Sequence, residues 1–164
     1  MNRHALLAIT LLLLLPLAHA QRKHVHGEGK LDIAIDKDTI TLNLELPLDA
    51  AVGFERAPKN DKEKAALAAT EKTLNDATVL WLPTPTANCA VESVEVGMPK
   101  FTGGEHADVD ARYVFRCAAP AALKGVETTI FKQFKRLYRL EAQRVGPTGQ
   151  GALRLTPKAP VVTW

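Results

Sequence analysis

The 164-residue chain has little of what would mark a nucleic-acid binder, a membrane-spanning protein or a hydrolase. Aromatic residues make up 5 % of it, and 21 Lys and Arg stand against 18 Asp and Glu whose signs alternate along most of the sequence. Nucleic-acid binders gather Lys and Arg on one face with aromatics close by, so that class of partner is not expected. No apolar run approaches the roughly twenty residues that cross a bilayer as a helix. The sequence contains no G-x-S-x-G, no H-E-x-x-H and no G-x-x-x-x-G-K-[ST], and its many carboxylates offer no pair that stands out as acid and base. An enzyme is therefore not expected. Cysteine is scarce, with only Cys89 and Cys117, and neither lies in the C-x-x-C or C-x-x-H spacing of a zinc site.

What is present begins with an export signal. Arg3 supplies positive charge, Ala5 to Leu15 form a short apolar run, Pro16 breaks it, and Ala18-His19-Ala20 has the A-x-A form of a cleavage site. Residues 1–20 are thus expected to be a signal peptide and residues 21–164 a single periplasmic domain. Gln21, not Cys, follows the expected cleavage point, so neither a lipid anchor nor a retained membrane helix is expected. Removing twenty residues from 164 leaves 144, enough for one core. Arg3, His4 and His19 leave with the signal, so three of the five histidines remain. In an oxidising compartment Cys89 and Cys117 read as a disulfide, with a pair of zinc thiolates as the rival reading. Closing that loop would constrain the unfolded chain by about 3.6 kcal/mol on the chain-entropy model.

The pattern of the expected mature chain predicts an α+β fold, mostly antiparallel sheet built from hairpins, with one main helix. Residues 31–35 and 40–46 alternate apolar and polar side chains, so they read as half-buried strands joined at Asp36-Lys37-Asp38-Thr39 and ended by Pro47. Residues 60–76 are rich in Ala, Lys and Glu, contain no Gly or Pro, and open on Asn60 or Asp61 as N-cap. The spacing predicts a helix there, lying across a sheet with much of its surface wet. Residues 91–96 and 109–117 read as a hairpin that brings the two cysteines together. Strand-like runs at 126–134, 138–145 and 152–156 follow, the last two joined at Gly146-Pro147-Thr148-Gly149. Within residues 131–139 the aromatics fall at strand spacing and are expected in the core, with Lys132, Lys135, Arg136 and Arg139 in solvent.

Chemistry concentrates in two short segments. If residues 24–28 continue the first strand, then His24, His26 and Glu28 share a polar face with Asp32, and two imidazoles with a carboxylate can meet one ion. His106 and Asp108 again alternate onto one side after the Gly-rich loop. Neutral imidazole suits zinc or copper, and carboxylates can complete the shell.

Several stretches together carry a resemblance. These are H-x-H-G before a strand, L-x-I-A-I-D, L-x-L-E-L-P, G-F-E-x-A-P at Gly53 to Pro58, H-A-D-x-x-x-x-Y-x-F-x-C from His106, and the closing G-P-T-G-Q. In this order they resemble the ZrgA-like family of zinc-regulated bacterial periplasmic proteins over nearly the whole mature chain. The resemblance implies a zinc-binding protein that aids zinc acquisition, with a periplasmic or membrane metal transporter as partner. The chain departs from the family in two places. Residues 97–105 contain no His where relatives carry a His-rich loop, and Arg56 stands where the family pattern has His. A guanidinium stays protonated and cannot ligate a metal. The expected ligand set is therefore His24, His26, Glu28, His106 and Asp108, with zinc as the metal. The alternative is an accessory or interaction module that has lost the metal-binding loop.

Overall fold

In the computed structural model, residues 25–101 and 107–164 are described. The alternation of the first hairpin becomes β1 (Glu28–Asp36) and β2 (Thr39–Pro47), paired antiparallel with Leu31 opposite Leu44 and Ile33 opposite Leu42. All four of these side chains are buried. Pro47, which cannot continue as a central strand, hands the chain to a short helix, α1 (Leu48–Val52). Gly53 ends α1 with φ +87°, a value that favours glycine.

The main helix, α2 (Asp61–Leu74), starts where its cap residue predicts: Asn60 Oδ1 accepts the Glu63 amide at 2.9 Å. It is followed by α3 (Ala77–Leu80) and β3 (Trp81–Pro83). Next come β4 (Cys89–Gly97) and β5 (Asp108–Cys117), whose register sets Cys89 directly opposite Cys117, and the two are joined as a disulfide. The remaining elements are β6 (Gly125–Thr128), α4 (Ile130–Gln133), β7 (Arg139–Gly146), β8 (Gly149–Leu155) and β9 (Val161–Thr163).

The principal sheet has six strands in the order β4-β5-β2-β1-β7-β8, and the small sheet has three, β3-β6-β9. Every pairing is antiparallel except that of β1 with β7. The fold is α+β, as the pattern implies. One continuous core joins the apolar face of the large sheet to Leu74, Leu80, Trp81, Ile130, Phe131 and Phe134. At its centre the rings of Trp81 and Tyr113 lie 5.6 Å apart, and the Tyr113 hydroxyl donates to the Leu74 carbonyl at the end of α2.

Two local expectations are corrected. Residues 126–134 are not one strand: β6 stops at Thr128 and α4 follows, so Phe131 and Phe134 enter the core at helical rather than strand spacing. Tyr138 is 48 % exposed, and Arg139 is held in an ion pair with Glu28 instead of extending into solvent. The segment before β1 is likewise not a continuation of the strand. The Glu28 amide donates to the Val25 carbonyl at 3.1 Å, and Gly27 takes φ +73° at the third position of that turn. His26 therefore leaves the alternation that orders Leu31 and Ile33.

Candidate metal centre

The His26 turn is held by the segment entering β7. The Tyr138 amide donates to the Gly27 carbonyl at 3.0 Å, and a Cβ at Gly27 would come within 2.6 Å of the Tyr138 ring and 2.8 Å of the Arg136 carbonyl. Only glycine fits both that contact and the positive φ. The second wall of the site is α1, set in place by Pro47 and by the Leu48 amide, which donates to the Ala107 carbonyl at 2.8 Å. From α1 comes Asp49, and just past Gly53 comes Glu55.

These elements turn His26, Asp49 and Glu55 toward one another. Nδ1 of His26 lies 3.0 Å from Asp49 Oδ2 and 3.5 Å from Glu55 Oε1, and one ligand atom from each residue lies within 4.8 Å of the others. Two ligands bound tetrahedrally to zinc at 2.0–2.1 Å are separated by about 3.3 Å, so the spacing suits that ion. The carboxylates form the inner wall, their side chains 21 % and 11 % exposed, while the imidazole is 68 % exposed and caps them from outside. Asp49 Oδ1 is buried and has no hydrogen-bond partner among the described residues. A buried carboxylate oxygen without a donor is costly unless something cationic meets the group, and a metal ion would do so. The donor set, one nitrogen and two oxygens, is one that zinc accepts.

Of the residues expected as ligands, His26 belongs to this group, and Glu28 and Asp108 do not. Glu28 faces Arg139, with which it forms an ion pair, and accepts from the Tyr138 hydroxyl at 2.7 Å. Burial works against its charge, but the Arg139 and Tyr138 hydrogen bonds outweigh that and hold its carboxyl below the usual range. Its role is to lock the start of β1 to the start of β7. Asp108 opens β5 in register with Pro47, one residue beyond the Ala107 carbonyl that fixes α1. His24 and His106 lie outside the described residues.

Asp49 and Glu55 were not among the ligands expected from the sequence. Glu55 is the acidic residue of G-F-E-x-A-P, and His26 is the second histidine of H-x-H-G, so two stretches quoted above for their resemblance meet in space. Arg56, next in the chain, is committed elsewhere: its guanidinium grips Glu63 at 2.7 and 2.9 Å and lies 5.0 Å from the centre of the Phe54 ring. That bidentate contact holds the Glu63 carboxyl down at about 2.

Comparison with known proteins agrees with the geometry. No curated protein sequence matches the chain. A family model described as ZrgA family zinc uptake protein matches residues 23–164, a span that contains every element of the fold and all three residues of the candidate centre. The chain belongs to the ZrgA family of zinc uptake proteins.

Proposed function

We propose that the protein is an exported, periplasmic zinc carrier that binds the ion without catalysis and serves in delivery or buffering. The observation that carries this reading is the approach of His26, Asp49 and Glu55 at distances suited to one zinc ion. The family's zinc-uptake description supports the choice of metal, and the Cys89–Cys117 disulfide fits an oxidising compartment. Export would follow from the signal peptide expected at residues 1–20, which lies outside the described residues. The partner in delivery would be a periplasmic or membrane metal transporter, which receives the ion from the exposed imidazole side.

The arrangement suits exchange. Two carboxylates neutralise a divalent ion, and a single solvent-facing imidazole can detach as a receiving ligand arrives. His24 and His106 are further donors in this reading: His24 is two residues from His26, and His106 adjoins Ala107, whose carbonyl accepts the amide preceding Asp49.

Calorimetric zinc titration of residues 21–164 tests the proposal. The expected result is one saturable site that is lost in Asp49→Asn, Glu55→Gln, with the far-ultraviolet dichroism of the variant unchanged. Equal heats in both proteins would remove this group from zinc binding. The second reading, an accessory module that works without metal, is favoured by one observation: Arg56 is tied to Glu63 at a position where the family pattern has an imidazole. Metal analysis of protein purified from zinc-replete cells separates the two, since an accessory module would carry no stoichiometric zinc.

A further inference from the structure

At the end of the large sheet away from the His26 turn, a cavity of about 330 Å³ opens between the β1–β2 turn, the segment after Cys117, the β7–β8 turn and Trp164. Pro120, Leu123, Pro147 and Trp164 give it apolar walls, and Lys37 and Lys124 line it beside them. Hydrogen bonds tie the walls together. The Leu123 amide donates to the Pro120 carbonyl at 3.1 Å, and the Trp164 amide donates to the Lys124 carbonyl at 3.2 Å. The Cys117 amide donates to the Asp38 carbonyl at 2.7 Å, which fixes the β1–β2 turn beside the chain that leaves β5. Arg144 links Trp164 to the β7–β8 turn: its guanidinium carbon lies 6.0 Å from the centre of the ring, and its Nη1 donates to the Thr148 hydroxyl oxygen at 3.0 Å. The cavity is thus preformed, as small-molecule sites usually are.

Size and charge select the occupant. The volume lies at the low end of the range for small-molecule sites, which limits a ligand to about one ring with a short chain. Both lysines are exposed, and they reach the cavity from distant parts of the chain. Lys37 holds its place in the turn at φ +52°, a left-handed conformation that glycine or asparagine adopts more readily, so a long cationic side chain is kept there against the preference of the backbone. Lysine can lay its methylenes along an apolar wall and carry its ammonium to the rim. Two ammonium groups over apolar walls complement an anion with a hydrocarbon body and disfavour a cation. We propose that this cavity binds a small organic carboxylate, its apolar body against Leu123, Pro147 and Trp164 and its charged group at Lys37 and Lys124. The site is separate from the metal centre, and its ligand is bound whether or not zinc is present.

Phenylbutyrate is the probe, with phenylbutanol and phenylbutylamine as the neutral and cationic counterparts of the same body. Residues 21–164 are titrated with each at constant ionic strength while tryptophan emission is followed, beside Trp164→Phe, in which only the buried Trp81 remains. The expected result is a saturable emission change with the carboxylate, absent in Trp164→Phe, at a dissociation constant about tenfold lower than that of the alcohol, the scale of one charge-assisted hydrogen bond. The amine is expected to bind most weakly. Lys37→Asn, Lys124→Gln replaces two exposed side chains and keeps a residue that tolerates the left-handed φ, and it is expected to bind carboxylate and alcohol alike. The inference is overturned by the lack of any saturable change up to about 10 mM, or by equal affinity of the wild type for all three compounds. It is equally overturned by an emission change that survives in Trp164→Phe, or by a preference for the carboxylate that survives in the double lysine variant.

Discussion

The two ends of the large sheet are built by different means. At one end lie the β1–β2 turn, the Cys89–Cys117 disulfide, and Arg116, which bridges Asp38 at 2.8 Å and Glu92 at 2.9 Å. At the other, about 27 Å away along a nine-residue strand, lie the His26 turn, α1, the start of β5 and the start of β7. The first end is closed by a covalent bond and carries no metal-ligand group among the described residues. The second is held by turn hydrogen bonds and the Glu28–Arg139 pair, and it carries the candidate centre. Structural cross-linking and the candidate ion-binding group are thus separated along the strands, and each end is expected to be alterable with little consequence for the other.

Breaking the covalent end tests that separation most forcefully. Cys89→Ala, Cys117→Ala is expected to lower stability by about 2–4 kcal/mol, as loss of a loop-closing disulfide does, while zinc affinity at the far end changes less than twofold. Chemical denaturation and calorimetry measure the two quantities on the same protein. A large loss of zinc binding in the folded variant would show that the ends are coupled.

The converse experiment is Gly27→Ala. Its methyl would meet the Tyr138 ring and force a left-handed φ on alanine, so a stability loss of about 1–3 kcal/mol is expected, with zinc binding weakened about tenfold as His26 is displaced. Unfolding and zinc titration should shift together here, unlike in the cysteine variant.

A smaller effect concerns pH. Metal binding to a set of protein ligands releases protons, so zinc affinity is expected to be lower at about pH 5 than at about pH 7.5. In an Asp49→Asn, Glu55→Gln background that difference should disappear along with the site.

The smallest effect belongs to the pair of exposed Arg56 and half-buried Glu63. Because Glu63 is depressed to about 2 in the folded protein, its contribution is present above the ordinary carboxylate range and is lost as pH falls toward 2. The melting temperature of Arg56→Ala should therefore lie slightly below that of the wild type at neutral pH, and the two should converge at about pH 2. A gap that persists at that pH would mean that the guanidinium acts by packing on Phe54 and not through Glu63.

The same contrast marks what the sequence makes legible. Strict alternation over Leu31–Ile35 and Ile40–Leu46 announces β1 and β2, Asn60 announces α2, and the two cysteines announce both their bond and the β4–β5 hairpin. All of these depend on local periodicity or on pairing across a single hairpin. The candidate centre depends on neither. Alternation alone would carry the strand back through His26, whereas the positive φ of Gly27 under the Tyr138 ring turns the imidazole toward α1. Asp49 and Glu55 sit in no recognisable ligand spacing, since a five-residue helix and a glycine cap separate them and the histidine arrives from another turn. The parallel pairing of β1 with β7 was equally silent, because it joins segments over a hundred residues apart and no hairpin signals it.

That parallel pairing also sets an order of events. Strand β1 and the three candidate ligands, His26, Asp49 and Glu55, are among the first parts of the domain to be synthesised, but the partner strand and the Tyr138 ring that braces Gly27 come among the last. Until residue 139 has arrived, β1 has an open edge and the His26 turn lacks its wall. Non-local pairing of this kind is slow to form. A chain truncated before β7 would therefore possess His26, Asp49 and Glu55 and still lack their arrangement, so in the proposed role ion capture would be a late act that reports completion of the whole domain.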